Sequence, residues 1–183
     1  MSRLKRRKAN RRKRQWMYFL IGFLILWAVF ILFMSTRSYQ QQTIRPLLMK
    51  ITNHINIDIP LPDVTVHYAG NDYALRSNPY GFIEFTFRKS AHVFVYAVLT
   101  LLAHYLIRKK WGRSLYSYIL PLVFVVIVAS IDETLQKFSE DRTSSPYDVL
   151  LDFTGGCIAL LLMILIERFS RKRRSKDSST LIT

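Results

Sequence analysis

The chain of 183 residues carries one cysteine, Cys157, set in an apolar segment. A single thiol builds no disulfide framework within one chain, so cysteine usage does not report the redox compartment, and Cys157 reads as a small buried hydrophobe. Acids are scarce too: 12 Asp and Glu stand against 27 Lys and Arg, a formal net charge of +15. The four histidines show no HxxxH or HExxH spacing, and Ser90, Ser130 and Ser139 sit in no nucleophile-elbow motif. These absences exclude a dense zinc motif and a hydrolase of the elbow type. Neither a resident metal nor a cofactor is expected.

Charge is also missing from long stretches. Trp16–Met34 is nineteen residues without a charge, and Ser114–Ile131 is likewise uncharged. Half of the chain is hydrophobic. A soluble domain this basic would point to nucleic acid, but here the cations are bunched beside apolar runs instead of spread over a globular surface. The pattern is that of a polytopic membrane protein, and no nucleic-acid partner is expected. The basic flank of the first run raises the question of a cleaved signal. The run is long for a signal core, and no small-x-small site follows in MSTRSYQ, so an uncleaved first helix is expected.

These features divide the chain. Residues 1–15, with nine Lys/Arg and no acid, form a basic tail expected to be disordered near anionic headgroups. Spans are expected at 16–34, 88–107, 114–131 and 148–167, joined by segments 35–87, 108–113 and 132–147 and ending in a basic tail, 168–183. In 35–87, SYQQQTIRPLLMKITNHI suits an amphipathic helix with Ile44, Leu47, Leu48, Ile51 and Ile55 on one side, broken at Asp58–Pro62. DVTVHYAGNDYALRS alternates and suits a β-hairpin turning at Gly70-Asn71-Asp72; FIEFTF suits the bilayer interface or a third short strand. The fold class is therefore an all-α membrane protein: a four-helix transmembrane bundle with a small subdomain, helix plus hairpin, between spans one and two.

Charge also sets the threading. The first tail has nine Lys/Arg, the 108–113 loop four and Arg168–Lys176 six, and with four spans all three lie on one side. The positive-inside rule places them in the cytoplasm and the subdomain and the 132–147 loop outside, in a plasma membrane.

That threading brings a polar constellation to the outer face. Arg88, Lys89 and His92 open the second span; Asp132, Glu133 and Gln136 close the third; Arg142 lies in the loop; Asp148 and Asp152 open the fourth. Arg88 and His92 share a helix face, as do Asp132 and Gln136, and Asp148 and Asp152. Asp152 lies about 6 Å deeper than Asp148 at 1.5 Å per residue. Charge at that depth is costly, so Asp152 is expected to face the bundle and pair, with Lys89, Arg88 or Arg142 as candidates, and to anchor Lys89 or His92 from below, while Gly155-Gly156 permits close helix approach. Taken singly each residue has a plain structural use: Arg88 and Lys89 snorkelling, Asp148 favouring a helix start, His54, His67 and His104 offering nothing specific. Taken together they suit a pocket for an amphiphile carrying phosphate, amino or peptide groups, with His92, Asp132 and Glu133 as candidate acid/base groups. A bundle held together by ion pairs, and an enzyme acting on lipid-linked substrates, are the alternatives.

RKSAH with Tyr96, followed by DETLQKFSEDRTSSPYDVLLDFTGG, resembles the VanZ-like bacterial membrane proteins. Lys89, His92, Asp132, Glu133, Gln136, Arg142, Asp148, Asp152 and Gly155 fall on that family's pattern, and the Gln-rich Ser38–Gln42 suits it; the likeness runs over about 28–166. Asp152 stands where many relatives have Asn, and Val95 where the position is often acidic. The resemblance implies a cell-envelope protein with a link to glycopeptide resistance, chiefly teicoplanin. It also implies a lipid-linked or peptidoglycan-related ligand, beside the membrane lipids that any such chain meets.

Overall fold

The computed structural model describes residues 3–52, 61–139 and 145–180. The elements in order are α1 (Arg3–Ser35), α2 (Tyr39–Gln42), α3 (Arg45–Thr52), β1 (Thr65–Tyr68), β2 (Asn71–Ala74), α4 (Pro79–Trp111), α5 (Tyr116–Gln136) and α6 (Pro146–Thr180). Four helices are long and apolar enough to cross a membrane: Asn10–Ser35, Pro79–Trp111, Tyr116–Gln136 and Pro146–Ser170. A two-stranded sheet and short helices lie between the first two. The fold is therefore the expected all-α bundle with a small subdomain.

The helices α4, α5 and α6 pack against one another, and α1 packs on α4 and α5. Tyr96, Leu99, Val125, Val128, Ala129 and Ile31 form the apolar core. Elsewhere the apolar residues of α1, among them Phe19, Ile25, Leu26 and Val29, are exposed, as suits a surface solvated by lipid tails. One polar link fixes α1: Trp27 Nε1 donates to the Val95 carbonyl at 3.0 Å.

Several elements differ from the expectation. The basic tail is helical from Arg3, and α6 continues to Thr180. Lys and Arg are good helix formers, and extending an existing helix avoids the nucleation cost. FIEFTF is not a strand but part of the second and third turns of α4. Pro79 takes the first helical position and the Asn78 side chain accepts from Gly81 N at 3.0 Å, so the helix starts well before the apolar run. The amphipathic segment breaks into α2 and α3 at Thr43-Ile44, where Thr43 is extended and Pro46 falls in the first turn of α3, a position that needs no N–H donor. Ile55, His54 and the break through Asp58–Pro60 lie outside the described residues. The hairpin turns one position earlier than expected, at Ala69-Gly70, with φ of 51° and 79°, so Asn71 pairs with Tyr68 and Asp72 with His67. Two positive-φ residues match the right-handed twist of the flanking strands.

Pro121 lies inside α5 and lacks the N–H that would reach the Ser117 carbonyl. His104 from α4 fills the gap, its Nδ1 donating to Ser117 O at 2.5 Å. A histidine without an apparent role is thus an interhelical tie.

The closest approach is between α4 and α6. A Cβ on Gly155 would lie 2.6 Å from the Val93 carbonyl oxygen, and one on Gly156 2.6 Å from Thr100 Oγ1. The Val93 contact is with backbone, which cannot rotate away. Gly155→Ala is expected to cost about 1–3 kcal/mol, read as a lowered unfolding midpoint in detergent, whereas Ile158→Ala on the exposed side of α6 changes little. An unchanged midpoint for Gly155→Ala would show that the two helices are not held at this distance.

Candidate functional site

The site forms at the bundle end that carries the subdomain, where α4 and α6 begin and α5 ends. Its spine is a stripe on α4 at four-residue spacing: Glu84, Arg88, His92, Tyr96, Thr100 and His104. Glu84, Tyr96, Thr100 and His104 on this stripe are buried. Such a polar face must find its partners on neighbouring helices, and the partners fall into separate groups.

Nearest the subdomain, Glu84 (3 % exposed) accepts from Arg45 Nε at 2.6 Å and from Arg88 Nη2 at 3.4 Å. One guanidinium comes from α3 and the other from the next turn of α4. Beside it, Asp148 at the start of α6 accepts from Lys89 Nζ and from the Tyr68 hydroxyl, the latter at 2.6 Å. The Lys89 ammonium also lies 4.6 Å from the Tyr68 ring centroid. Burial, then the Asp148 carboxylate at its hydroxyl, raises the Tyr68 pKa, so the phenol stays a proton donor. Tyr73 stacks on Phe85 at 3.8 Å, seating the hairpin on α4.

Deeper lies a group contributed by three helices. His92 Nδ1 of α4 is 3.3 Å from Asp152 Oδ1 of α6. Asp132 of α5 accepts at Oδ2 from the Tyr96 hydroxyl at 2.9 Å and from Gln136 Nε2 at 3.4 Å. Asp132 and Asp152 are 1 % and 0 % exposed. Asp132 Oδ1 and Asp152 Oδ2 have no hydrogen-bond partner among the described residues, and Asp152 Oδ1 and His92 Nδ1 have only each other. His92, Asp132 and Asp152 each offer a ligand atom, all within 4.8 Å of one another, and they are the residues here that can hold a metal ion. Glu133 points elsewhere: its Oε2 accepts from the Ser145 backbone N–H at 2.9 Å and steadies the start of α6.

A cavity of about 380 Å³ opens between α1 and α4 above this group. Phe30, Ile31, Met34, Phe87 and Val95 give it an apolar wall. Its polar lining comes from Gln41, Gln42, Glu84, Arg88, His92 and Asp132. An apolar wall with a few convergent polar groups is the usual make-up of a small-molecule site.

The structure thus gathers Arg88, Lys89, His92, Asp132, Glu133, Gln136, Asp148 and Asp152 at one end, in distinct groups; Arg142 lies outside the described residues. Of the expected partners of Asp152, His92 is the one beside it, and the pairing with Lys89 or Arg88 is corrected. Lys89 meets Asp148 and Arg88 meets Glu84, one turn nearer the helix starts, which leaves Asp152 to His92. Sequence reasoning missed Tyr68, Arg45, Glu84 and the α1 wall. The four-residue repeat on α4 was a readable signal for Glu84; the others come from segments whose docking no spacing encodes.

The Lys89–Asp148 pair is expected to act as a buried pair. A double-mutant cycle of Lys89→Met and Asp148→Asn should give a coupling above about 1 kcal/mol in detergent unfolding. Coupling near zero would mark a solvated pair. Tyr68→Phe, removing one donor, should cost about 1 kcal/mol in the same assay.

Comparison with known proteins bears on what this arrangement is. A family model described as VanZ/LLP1 matches residues 19–167. No curated protein and no solved structure matches the chain. The matched stretch takes in every described member of the polar groups, from α3 through α6, and the α1 wall beside them: the chain belongs to the VanZ/LLP1 family.

Proposed function

We propose that the protein is a multi-pass plasma-membrane protein of the bacterial cell envelope that holds an amphiphile in the cavity between α1 and α4. The head group rests on Arg88, His92 and Asp132 and the chain lies along α1. The observation that carries this reading is the cavity itself: an apolar wall on a peripheral, lipid-facing helix, set over a floor of charged side chains. An anionic or hydroxylated head group on a lipid-linked or peptidoglycan-related molecule matches that floor. The threading supports an outward-facing site: nineteen of 27 Lys/Arg lie in the two tails and the 108–113 loop, so those segments belong in the cytoplasm. A role in glycopeptide resistance of the teicoplanin type rests on family membership alone.

Ion-pair glue accounts for the Glu84 and Asp148 groups but not in full for the deeper one, where Asp132 Oδ1 and Asp152 Oδ2 have no partner among the described residues. That surplus also favours a second reading, an enzyme on lipid-linked substrates. In it His92 and Asp132 exchange protons with the head group, and Glu133, engaged by Ser145, orients α6.

The test is lipid retention. Full-length protein in nanodiscs containing a polyprenyl phosphate should retain that lipid in native mass spectrometry. His92→Ala should weaken retention about tenfold or more with membrane abundance near wild type. Loss of folded protein in place of lipid would favour the glue reading. For the threading, Ser139→Cys in a Cys157→Ala background should label with an impermeant maleimide from outside the cell; labelling from the cytoplasmic side alone would reverse it.

A further inference from the structure

We propose that His92, Asp132 and Asp152 form a binding site for a divalent transition-metal cation of the zinc or manganese class. Its open coordination position would face the cavity. The three side chains come from α4, α5 and α6, and their ligand atoms lie within 4.8 Å of one another. Both carboxylates are essentially removed from solvent; Asp132 Oδ1 and Asp152 Oδ2 have no hydrogen-bond partner among the described residues, and Asp152 Oδ1 has only His92 Nδ1 at 3.3 Å. Buried acceptors in that state are expensive unless something satisfies them. The nearest cations are engaged elsewhere, Lys89 with Asp148 and Arg88 with Glu84. A proton would satisfy one oxygen; a metal ion engages all three side chains at once.

The remaining contacts suit ligation. Tyr96 and Gln136 both bind Oδ2 of Asp132, which leaves Oδ1 for an ion and holds the carboxylate in orientation. One imidazole nitrogen with two carboxylates is a mixed donor set, suited to Zn²⁺ or Mn²⁺ more than to Ca²⁺, which takes six to eight oxygens. Ligands around a tetrahedral Zn²⁺ sit about 3.4 Å apart at bond lengths near 2.1 Å, so binding would draw the widest pair in by roughly an ångström. Three protein ligands leave a coordination position vacant, as in catalytic rather than structural zinc sites. His92 and Asp132 line the cavity while Asp152 stands behind them, so that position opens toward a head-group oxygen. The inference deepens the amphiphile reading, whose cavity it shares, but metal stoichiometry can be measured without it.

Full-length protein in nanodiscs, stripped with a chelator and dialysed against Zn²⁺ or Mn²⁺, is assayed by elemental mass spectrometry. Wild type should hold about one equivalent and gain thermal stability on loading. Asp152→Asn and His92→Gln should each weaken binding about tenfold or more, and Glu167→Gln, at the opposite end of the bundle, should not. Asp152→Asn is close in shape and removes a buried charge, so its metal-free form should unfold no earlier than metal-free wild type. If it fails to fold, His92→Gln, at a partly exposed position, carries the comparison. Wild type that holds neither metal above the level of these variants would overturn the proposal. Polyprenyl phosphate retention is measured on the same samples. Lipid retained by a protein that binds no metal sinks the metal site alone; stoichiometric metal without lipid sinks the cavity reading alone.

Discussion

The approach of α6 to α4 at Gly155 is the constraint on which the site depends. With no side chain there, the α6 backbone lies against the Val93 carbonyl, and Asp152, one turn nearer the helix start, is carried to within 3.3 Å of His92. A Cβ there would stand 2.6 Å from that carbonyl oxygen, so a larger residue would push the helices apart and draw Asp152 away from His92. Gly156 repeats the approach over Thr100, so the two helices stay close for more than a turn. In a bilayer no hydrophobic force drives helix against helix, and close backbone packing of this kind supplies the association.

Around that contact the polar groups are graded by depth. Close to the subdomain, each buried carboxylate is matched: Glu84 by two guanidinium groups, Asp148 by an ammonium and a phenol. These pairs cost desolvation and return it in mutual attraction, so they hold α3, the hairpin, α4 and α6 together without reactive surplus. Below them the matching fails. Asp132 has donors on one oxygen and Asp152 meets only His92, on one oxygen, in a part of the molecule where water has little access. Unmatched charge of this kind in a membrane bundle is the ground for a functional hypothesis, and the cavity lies beside it.

The cavity exists because α1 is a peripheral helix. It touches α4 and α5 and is fixed by the Trp27 bond to Val95, while its remaining apolar surface faces outward. The wall of the cavity is thus a helix at the edge of the bundle, and Gln41 and Gln42 beyond it also line the cavity. The hairpin bears on the same region from the other flank, since Tyr68 joins Asp148 and Lys89.

Much of this was legible in the residues. Uncharged runs mark the spans because a bilayer tolerates little else, and bunched Lys and Arg distinguish the two ends of the bundle. Threading then requires that residues 88–92, 132–136 and 148–152 meet, whatever the packing details. Local capping chemistry, Asn78 with Pro79, was readable too, and with the four-residue stripe from Glu84 to His104 it would have begun α4 in the right place. The partner of each charge was not legible. Whether Lys89 reaches Asp148 or Asp152 depends on a fraction of a helical turn, and that is settled by how deeply α6 seats on α4. Nor could spacing show that Tyr68, Arg45 and α1 belong to the site, because they arrive through docking of separate segments. The sequence by itself determined which residues must share one membrane face, because charge and apolar length control insertion. Only the tertiary structure decided which of them pair with which, because that depends on side-chain distances set by helix packing.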